Sequence, residues 1–357
     1  MPAPLHLATA FLRQGYLTLR ERLRIGTALL SLARKNISHD ESVGAWLRRH
    51  GQSEQAIARF WSVVLVSALG ESIDKASLIP ARKVFVDGFM AHRDGYQIDV
   101  PRRPLRELFD QRVAERLTER GVVIHRSAPI ESLIADGQRV TSIARDGQPN
   151  ATFDAIVVAV PWRKISTLVP ANLRTLLPDF SNATEIAASP ITGVHLWFDR
   201  PLTSLPHAVL IDRFSQWVFR RDVAERHYYQ VVISASRDLR GMTSAAIGGQ
   251  VVADLAAVFP DAGAAKLLAS KVVTEQEAVF SYSVGFDAAR PCQRTAIENL
   301  FLAGDWTQTG WPSTLESAVR SGYLAAEAVL EHAGRPTRLL APDLPRGWLA
   351  RMLLGPL

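Results

Sequence analysis

The residues best placed to do chemistry lie near the C-terminus, in Gly304-Asp305-Trp306-Thr307 and Gly310-Trp311-Pro312-Ser313-Thr314-Leu315-Glu316. The apolar run Leu300-Phe301-Leu302-Ala303 has strand length and ends in Gly-Asp. After a short loop, Ser313 and Glu316 have the spacing of a capping box, with Pro312 just before the cap. The expected helix continues through Val319, Gly322, Ala325, Ala326 and Val329. A helix start carries free N–H groups and the positive end of the dipole. Beside the end of a buried strand, it suits an anionic or electron-rich ligand atom. The same pattern also describes an ordinary strand–loop–helix unit of an α/β protein.

Other chemistries find little support. There is no Gly-x-Ser-x-Gly, no P-loop and no His/Cys/Asp/Glu spacing that makes a metal site. Cys292 is the single cysteine, which rules out an internal disulfide and fits a reducing compartment; it reads as a small buried apolar residue. The net charge of +6 comes without a basic block interleaved with aromatics, so nucleic-acid binding is not indicated. No uncharged apolar run reaches about 18 residues, and the N-terminus lacks the order of a signal peptide. The default location is cytoplasmic. With 357 residues and 47% apolar content, the chain can build a large core and two domains.

The elements that position the chemistry follow in order. Residues 4–35 read as a basic amphipathic helix or helix pair. Leu5, Leu7, Ala8, Phe11, Leu12, Leu17, Leu19, Leu23, Ile25, Leu29, Leu30 and Leu32 are apolar, and Arg13, Arg20, Arg22, Arg24, Arg34 and Lys35 are charged. Such a face is either packed and solvated or laid on a membrane surface. A helix starts at Asp40-Glu41-Ser42-Val43 and stops at Arg49-His50-Gly51, with His50 complementing its dipole. Residues 53–70 form another. Leu105 to Arg120 form a third, with Leu108, Phe109, Val113 and Leu117 inward. Val122–His125, Pro129–Ile134, Arg139–Ile143 and Asp154–Pro161 read as strands, the last buried on both faces. Residues 191–198, 209–211, 216–219 and 228–233 alternate like strands of an antiparallel sheet. Ala246 to Phe259 and Ala262 to Ala269 read as helices, and Lys271 to Val279 as a strand. The tail Trp348–Leu354 docks on the domain or on a membrane.

The C-terminal stretch resembles the flavin motif of the amine-oxidase and phytoene-desaturase superfamily. The resemblance implies an α/β (α+β) fold: a partial FAD-binding Rossmann-like domain plus a substrate domain with an antiparallel sheet and helices. It places residues 81–165 and 290–335 in the FAD-binding domain and 1–80 and 166–289 in the substrate domain, with 336–357 as a tail. Asp305, after Gly304, would bind the ribityl–phosphate part of FAD. The backbone at Thr314 and Leu315 would lie under the flavin N1/C2=O edge. Ile130 would touch the adenine through its backbone, and Val160-Pro161 would lie near the cofactor. Trp306 and Trp311 would either wall the flavin face or serve as ordinary packing. Ser317 stands where the superfamily usually has Gly. The superfamily also opens with a strand, Gly-x-Gly-x-x-Gly and a helix; this sequence has no such motif, and the expectation is a truncated chain or a lost diphosphate cradle.

Within the superfamily the sequence resembles the hydroxysqualene dehydroxylases. The resemblance runs from Pro2-Ala3-Pro4-Leu5-His6-Leu7 through Lys83-Val84-Phe85-Val86-Asp87-Gly88 to Gly304–Thr314. It implies reductive removal of the hydroxyl of hydroxysqualene to give squalene, with FAD and a nicotinamide donor, NAD(P)H. It also implies an apolar C30 isoprenoid substrate and peripheral contact with the inner face of the membrane. Asp99 and Asp305 are the acids that residue type alone offers for protonating the leaving group. Two other readings remain open: a carotenoid or phytoene desaturase, and an isoprenoid-binding remnant without catalysis.

Overall fold

The computed structural model describes all residues except 35, 36, 38, 98, 102, 146–147, 178–186, 224–225 and 355–357. Lys35 and Ile98 therefore lie outside the described residues. The fold mixes helices and sheets, as the α/β (α+β) expectation requires. An antiparallel set joins β1 (Ser132–Asp136), β2 (Arg139–Arg145) and β3 (Gln148–Ala151). Its first hairpin closes at Gly137, whose φ of +57° is one that glycine adopts without cost. After β4 (Ile156–Val158) come β5 (Ala188–Phe198), β6 (His207–Val209), β7 (Trp217–Val223), β8 (Arg226–Ser234) and β9 (Leu267–Phe280). These five pair antiparallel in the order β6-β7-β8-β5-β9. Last, β10 (Leu300–Leu302) pairs in parallel with β4.

Period-two alternation decides what the large sheet does. Val194, Leu196 and Phe198 of β5 and Tyr229, Val231 and Ile233 of β8 face a core shared with Ile247, Val251 and Leu255 of the Ser244–Val258 helix. The opposite face carries Gly193, His195 and Trp197 of β5, and Tyr228, Gln230 and Val232 of β8. A second and larger core surrounds Trp61, Leu65, Phe85, Phe280, Leu300 and Trp306. Glu71 stitches the two halves together. It is fully buried, accepts two hydrogen bonds from Arg237 at 2.6 and 2.8 Å, and also accepts from the Ser281 hydroxyl. Removing one partner of such a pair costs about 3–5 kcal/mol, because the other charge stays buried.

Several expectations need correction. The sequence places Leu108, Phe109, Val113 and Leu117 inward, yet Phe109, Val113 and Leu117 are exposed. Residues 107–119 do form helix, but Phe109, Val113 and Leu117 of its apolar stripe face out. Val122–His125 is not a strand, and Val122, Val123 and Ile124 are exposed. The strand expected at Asp154–Pro161 shrinks to β4. It has β10 as its one partner among the described residues, which leaves Val157 44% exposed rather than buried on both faces. The helix expected at Ala262–Ala269 gives way to a short turn at Pro260–Ala264 and the start of β9. There, Leu267, Ala269 and Ser270 pair with Phe198, Trp197 and Leu196, and the ladder overrides local helix propensity. Cys292 is exposed, its thiol directed at Gln308.

Near the N-terminus, helices Ala8–Leu12 and Leu19–Arg34 form the expected pair. Leu17, Ile25 and Leu32 are buried, while Leu12, Leu19 and Leu23 stand in solvent. His50 caps its helix and takes the Trp46 carbonyl at 2.8 Å. The Trp348–Leu354 helix docks on the protein through Ala350 and Leu354, with Arg34 donating to the Leu353 carbonyl at 3.0 Å. Among the described residues no helix is long and apolar enough to cross a membrane, and no group of His, Cys, Asp and Glu is placed to hold a metal ion.

Candidate active site

The parallel pair ends where the chemistry was expected. Leu302 lies opposite Val158, and the Ala303 N–H donates to the Val158 carbonyl at 3.0 Å, so Gly304-Asp305 leaves the carboxyl end of β10 beside Val160-Pro161 at the end of β4. In open parallel sheets ligands bind outside this edge. Gly304 has φ +138° and donates its N–H to the Ser321 hydroxyl at 2.8 Å. Its missing Cβ matters: a methyl there would lie 2.3 Å from Trp306 Nε1. Trp306 itself is 1% exposed, and its indole N–H donates to the Val160 carbonyl at 3.0 Å. It ties the two strand ends together and is core, not a wall. Pro161 starts the Trp162–Leu168 helix, and Ile130 sits half-buried just ahead of β1.

The helix cap differs by one residue from the expected capping box. Thr314 is the N-cap of the Leu315–His332 helix, its hydroxyl accepting from the Ser317 N–H at 3.3 Å. Ser313 is released from capping, and its hydroxyl donates to the Asp305 carboxylate. Asp305 is thereby tied to the helix start. Thr314 and Leu315 are exposed, at a helix start whose first N–H groups have no intrahelical partner.

Sequence reasoning missed the residue that organises this loop. Arg290 is buried, and its guanidinium reaches almost every turn of 305–317. Nη1 donates to the Trp311 carbonyl at 2.8 Å and the Tyr282 hydroxyl at 2.6 Å. Nη2 donates to the Asp305 carbonyl at 2.8 Å and to the Thr309 and Ser317 hydroxyls at 3.3 Å. Asp287 balances the charge at 3.1 Å. Burial pushes the Tyr282 hydroxyl well above the ordinary tyrosine range, so it stays protonated. Ser317 takes part in this network, which gives the serine in place of glycine a purpose. A lone arginine between Phe286 and Pro291, just ahead of a Gly-Asp strand end, was the available signal.

The tail braces the same loop from outside. Asp343 accepts from Trp311 Nε1 at 3.0 Å and from Arg320 at 2.8 Å, and pairs with Lys83 at 3.2 Å. The Lys83 ammonium also lies 4.4 Å from the Trp311 ring centre. Asp99, by contrast, sits exposed in a loop. Away from the turn, an apolar cavity of about 530 Å³ lies between the N-terminal helix pair, the 53–69 helical segment and the 78–90 helix. Phe11, Leu30, Phe60, Val64, Phe89 and Val209 are among its walls.

Comparison with known proteins fits this arrangement. The sequence profile of flavin-containing amine oxidoreductases matches residues 2–330. This chain belongs to that family. It is 25% identical over 353 residues to the 15-cis-phytoene desaturase of Solanum lycopersicum, an alignment covering 93% of this chain and 60% of the relative. It is 29% identical over 221 residues to the hydroxysqualene dehydroxylase of Zymomonas mobilis, covering 61% of this chain and 49% of that protein. The chain thus spans about 60% of the length of the tomato enzyme. In three dimensions it resembles cyclohexylamine oxidase from Brevibacterium oxydans, with a TM-score of 0.65 at 15% identity, over 90% of this chain and 77% of that one.

Proposed function

We propose that this flavoprotein of the amine oxidoreductase family takes an isoprenoid alcohol, hydroxysqualene, and replaces its C–O bond with C–H to give squalene. The observation that carries the reading is an apolar cavity of about 530 Å³ in a chain that also holds, elsewhere in the fold, the Gly304–Thr314 turn. A cavity of this size and lining suits a hydrocarbon chain.

The residues fit the ring-and-ribityl end of FAD. Asp305 would accept from the ribityl chain. The N–H groups at Thr314 and Leu315 would meet the electron-rich edge of the ring, where a helix start favours negative charge. Val160 and Pro161 would border it, and Ile130 would reach the adenine side. No two glycines of the sequence stand two apart, so no Gly-x-Gly-x-x-Gly cradle for the diphosphate occurs in this chain. When bound, reduced FAD supplies hydride, with NAD(P)H as the donor that reduces it. The protein's own work is to seat the chain, exclude water and give the departing hydroxide a proton, so that it leaves as water. In this reading residues 81–165 and 290–335 serve the cofactor and 1–80 and 166–289 the substrate.

The N-terminal helix pair is the proposed contact with a membrane. Arg13, Arg20, Arg22, Arg24 and Arg34 face one acid in residues 1–34, Glu21, which is buried. Leu19 and Leu23 are each 63% exposed, and Leu5, Tyr16 and Leu30 are both exposed and part of the cavity wall. An anionic bilayer suits such a face. The test is product analysis with FAD, NADPH and substrate dissolved in vesicles. Squalene from hydroxysqualene is expected, faster from anionic than from neutral vesicles. Desaturation of phytoene without turnover of hydroxysqualene would favour the desaturase reading, and no conversion of either would favour a binding protein.

A further inference from the structure

One face of the large sheet carries a cluster of polar and aromatic side chains. Successive pairings align Val209, Trp217, Val232, Gly193 and Val273 in one row across β6, β7, β8, β5 and β9. The next row holds His207, Phe219, Gln230, His195 and Lys271. Tyr228 and Trp197 face each other in the third. All of these lie opposite the core face of Val194, Leu196 and Val231. The surface is largely aromatic: the rings of Trp217 and Phe219 stack at 5.9 Å, and those of Trp197 and Tyr228 lie 5.2 Å apart. Within it, His195 Nδ1 and the Tyr228 hydroxyl are 2.6 Å apart, with the rings nearly parallel.

The protonation states follow from the surroundings. Burial, reinforced by Lys271, lowers the pKa of His195, and burial raises that of Tyr228, with Arg221 opposing. Both groups are therefore neutral near pH 7. In the tautomer in which the tyrosine hydroxyl donates to Nδ1, the imidazole carries its proton on Nε2. That nitrogen lies on the side of Gly193: a Cβ built there would stand 3.6 Å from His195 Nε2 and 3.9 Å from Gln230 Nε2. A glycine in the middle of a strand marks a place where another group can approach the sheet. Here it leaves one side-chain position vacant beside an imidazole and an amide.

Val209, on this face, lines the apolar cavity, and its partner Trp217 lines an adjoining pocket that shares Val63 and Val209 with it and is anchored by donation to the Ser67 hydroxyl at 2.6 Å. From Val209 to Gly193 is three strand spacings, about 14 Å. That distance is within the length of an extended long-chain isoprenoid.

We propose that His195, Tyr228 and Gln230 form the subsite that binds the hydroxyl of an isoprenoid alcohol whose hydrocarbon chain lies in the apolar cavity. The inference rests on the isoprenoid reading above. His195 Nε2–H donates to the alcohol oxygen, Tyr228 fixes the tautomer from behind, and the vacant position at Gly193 admits the oxygen to the sheet surface.

The test needs neither cofactor nor turnover. Tryptophan fluorescence of the whole chain is titrated with farnesol and with farnesene, for wild type, His195→Leu and Tyr228→Phe. Wild type is expected to bind both, the alcohol roughly fivefold more tightly, the worth of one neutral hydrogen bond. Both variants are expected to keep their farnesene affinity and lose the preference for farnesol; unchanged farnesene affinity also shows that they are folded. Retention of the preference in both variants would overturn the subsite. Absence of binding of either probe to wild type would overturn the isoprenoid reading, and the subsite with it.

Discussion

Arg290→Met is expected to cost about 3–5 kcal/mol of stability, the penalty for removing one member of a buried charge network. The change leaves Asp287, the Tyr282 hydroxyl and the Asp305 and Trp311 carbonyls without their shared donor. The Tyr282 hydroxyl retains Asp287 at 2.9 Å, so the loss falls chiefly on the two carbonyls and on the loop they hold. Arg290→Lys separates charge from geometry. A lysine restores the charge, but its single ammonium cannot fork to both carbonyls. Chemical denaturation followed by circular dichroism is expected to rank wild type above Arg290→Lys and Arg290→Met last. Equal midpoints for all three would show that the loop holds its shape without the guanidinium.

Gly304→Ala is expected to be nearly as damaging, although it adds one methyl. The φ of +138° is strained for any residue with a side chain, and the new Cβ would sit 2.3 Å from Nε1 and 2.7 Å from Cδ1 of the Trp306 ring. That ring cannot retreat, because it is fully buried and its N–H is committed to Val160. Strain and overpacking together amount to about 2–5 kcal/mol. Gly310→Ala is the control. Its φ is +75°, but nothing lies within 4 Å of the added carbon, so about 1 kcal/mol is expected there. Thermal melts of the two variants compare these directly. Equal losses would mean that the contact with Trp306 does not set the turn.

Much of this architecture was legible because hydrophobic period reports burial. The alternation at 191–198 identifies β5, and its odd and even residues separate core from the face that carries His195. The apolar run before Gly304 identifies β10, although its parallel partner is visible only in the fold. Failures follow from the same source. The stripe Leu108, Phe109, Val113 and Leu117 is amphipathic in sequence, but amphipathicity does not say whether anything covers it, and most of it is exposed. Residues 267–270 have helix-forming composition but are claimed by the ladder with β5. At the site, Gly304, Asp305 and the helix start were legible as a motif. Arg290 was not, since its partners lie 15 to 27 residues downstream at Asp305, Trp311 and Ser317. The exchange of roles between Ser313 and Thr314 was hidden too, because adjacent hydroxyl residues offer two capping registers.

The measurement that tests the central claim most directly is titration of FAD fluorescence with the purified chain and with Asp305→Ala. The claim is that the Gly304–Leu315 turn holds the flavin and ribityl end of the cofactor. Saturable quenching is expected with wild type, weakened about tenfold or more in Asp305→Ala, the worth of a hydrogen bond to a charged acceptor. FAD fluorescence that wild type leaves unchanged, or that both proteins quench alike, would contradict the assignment.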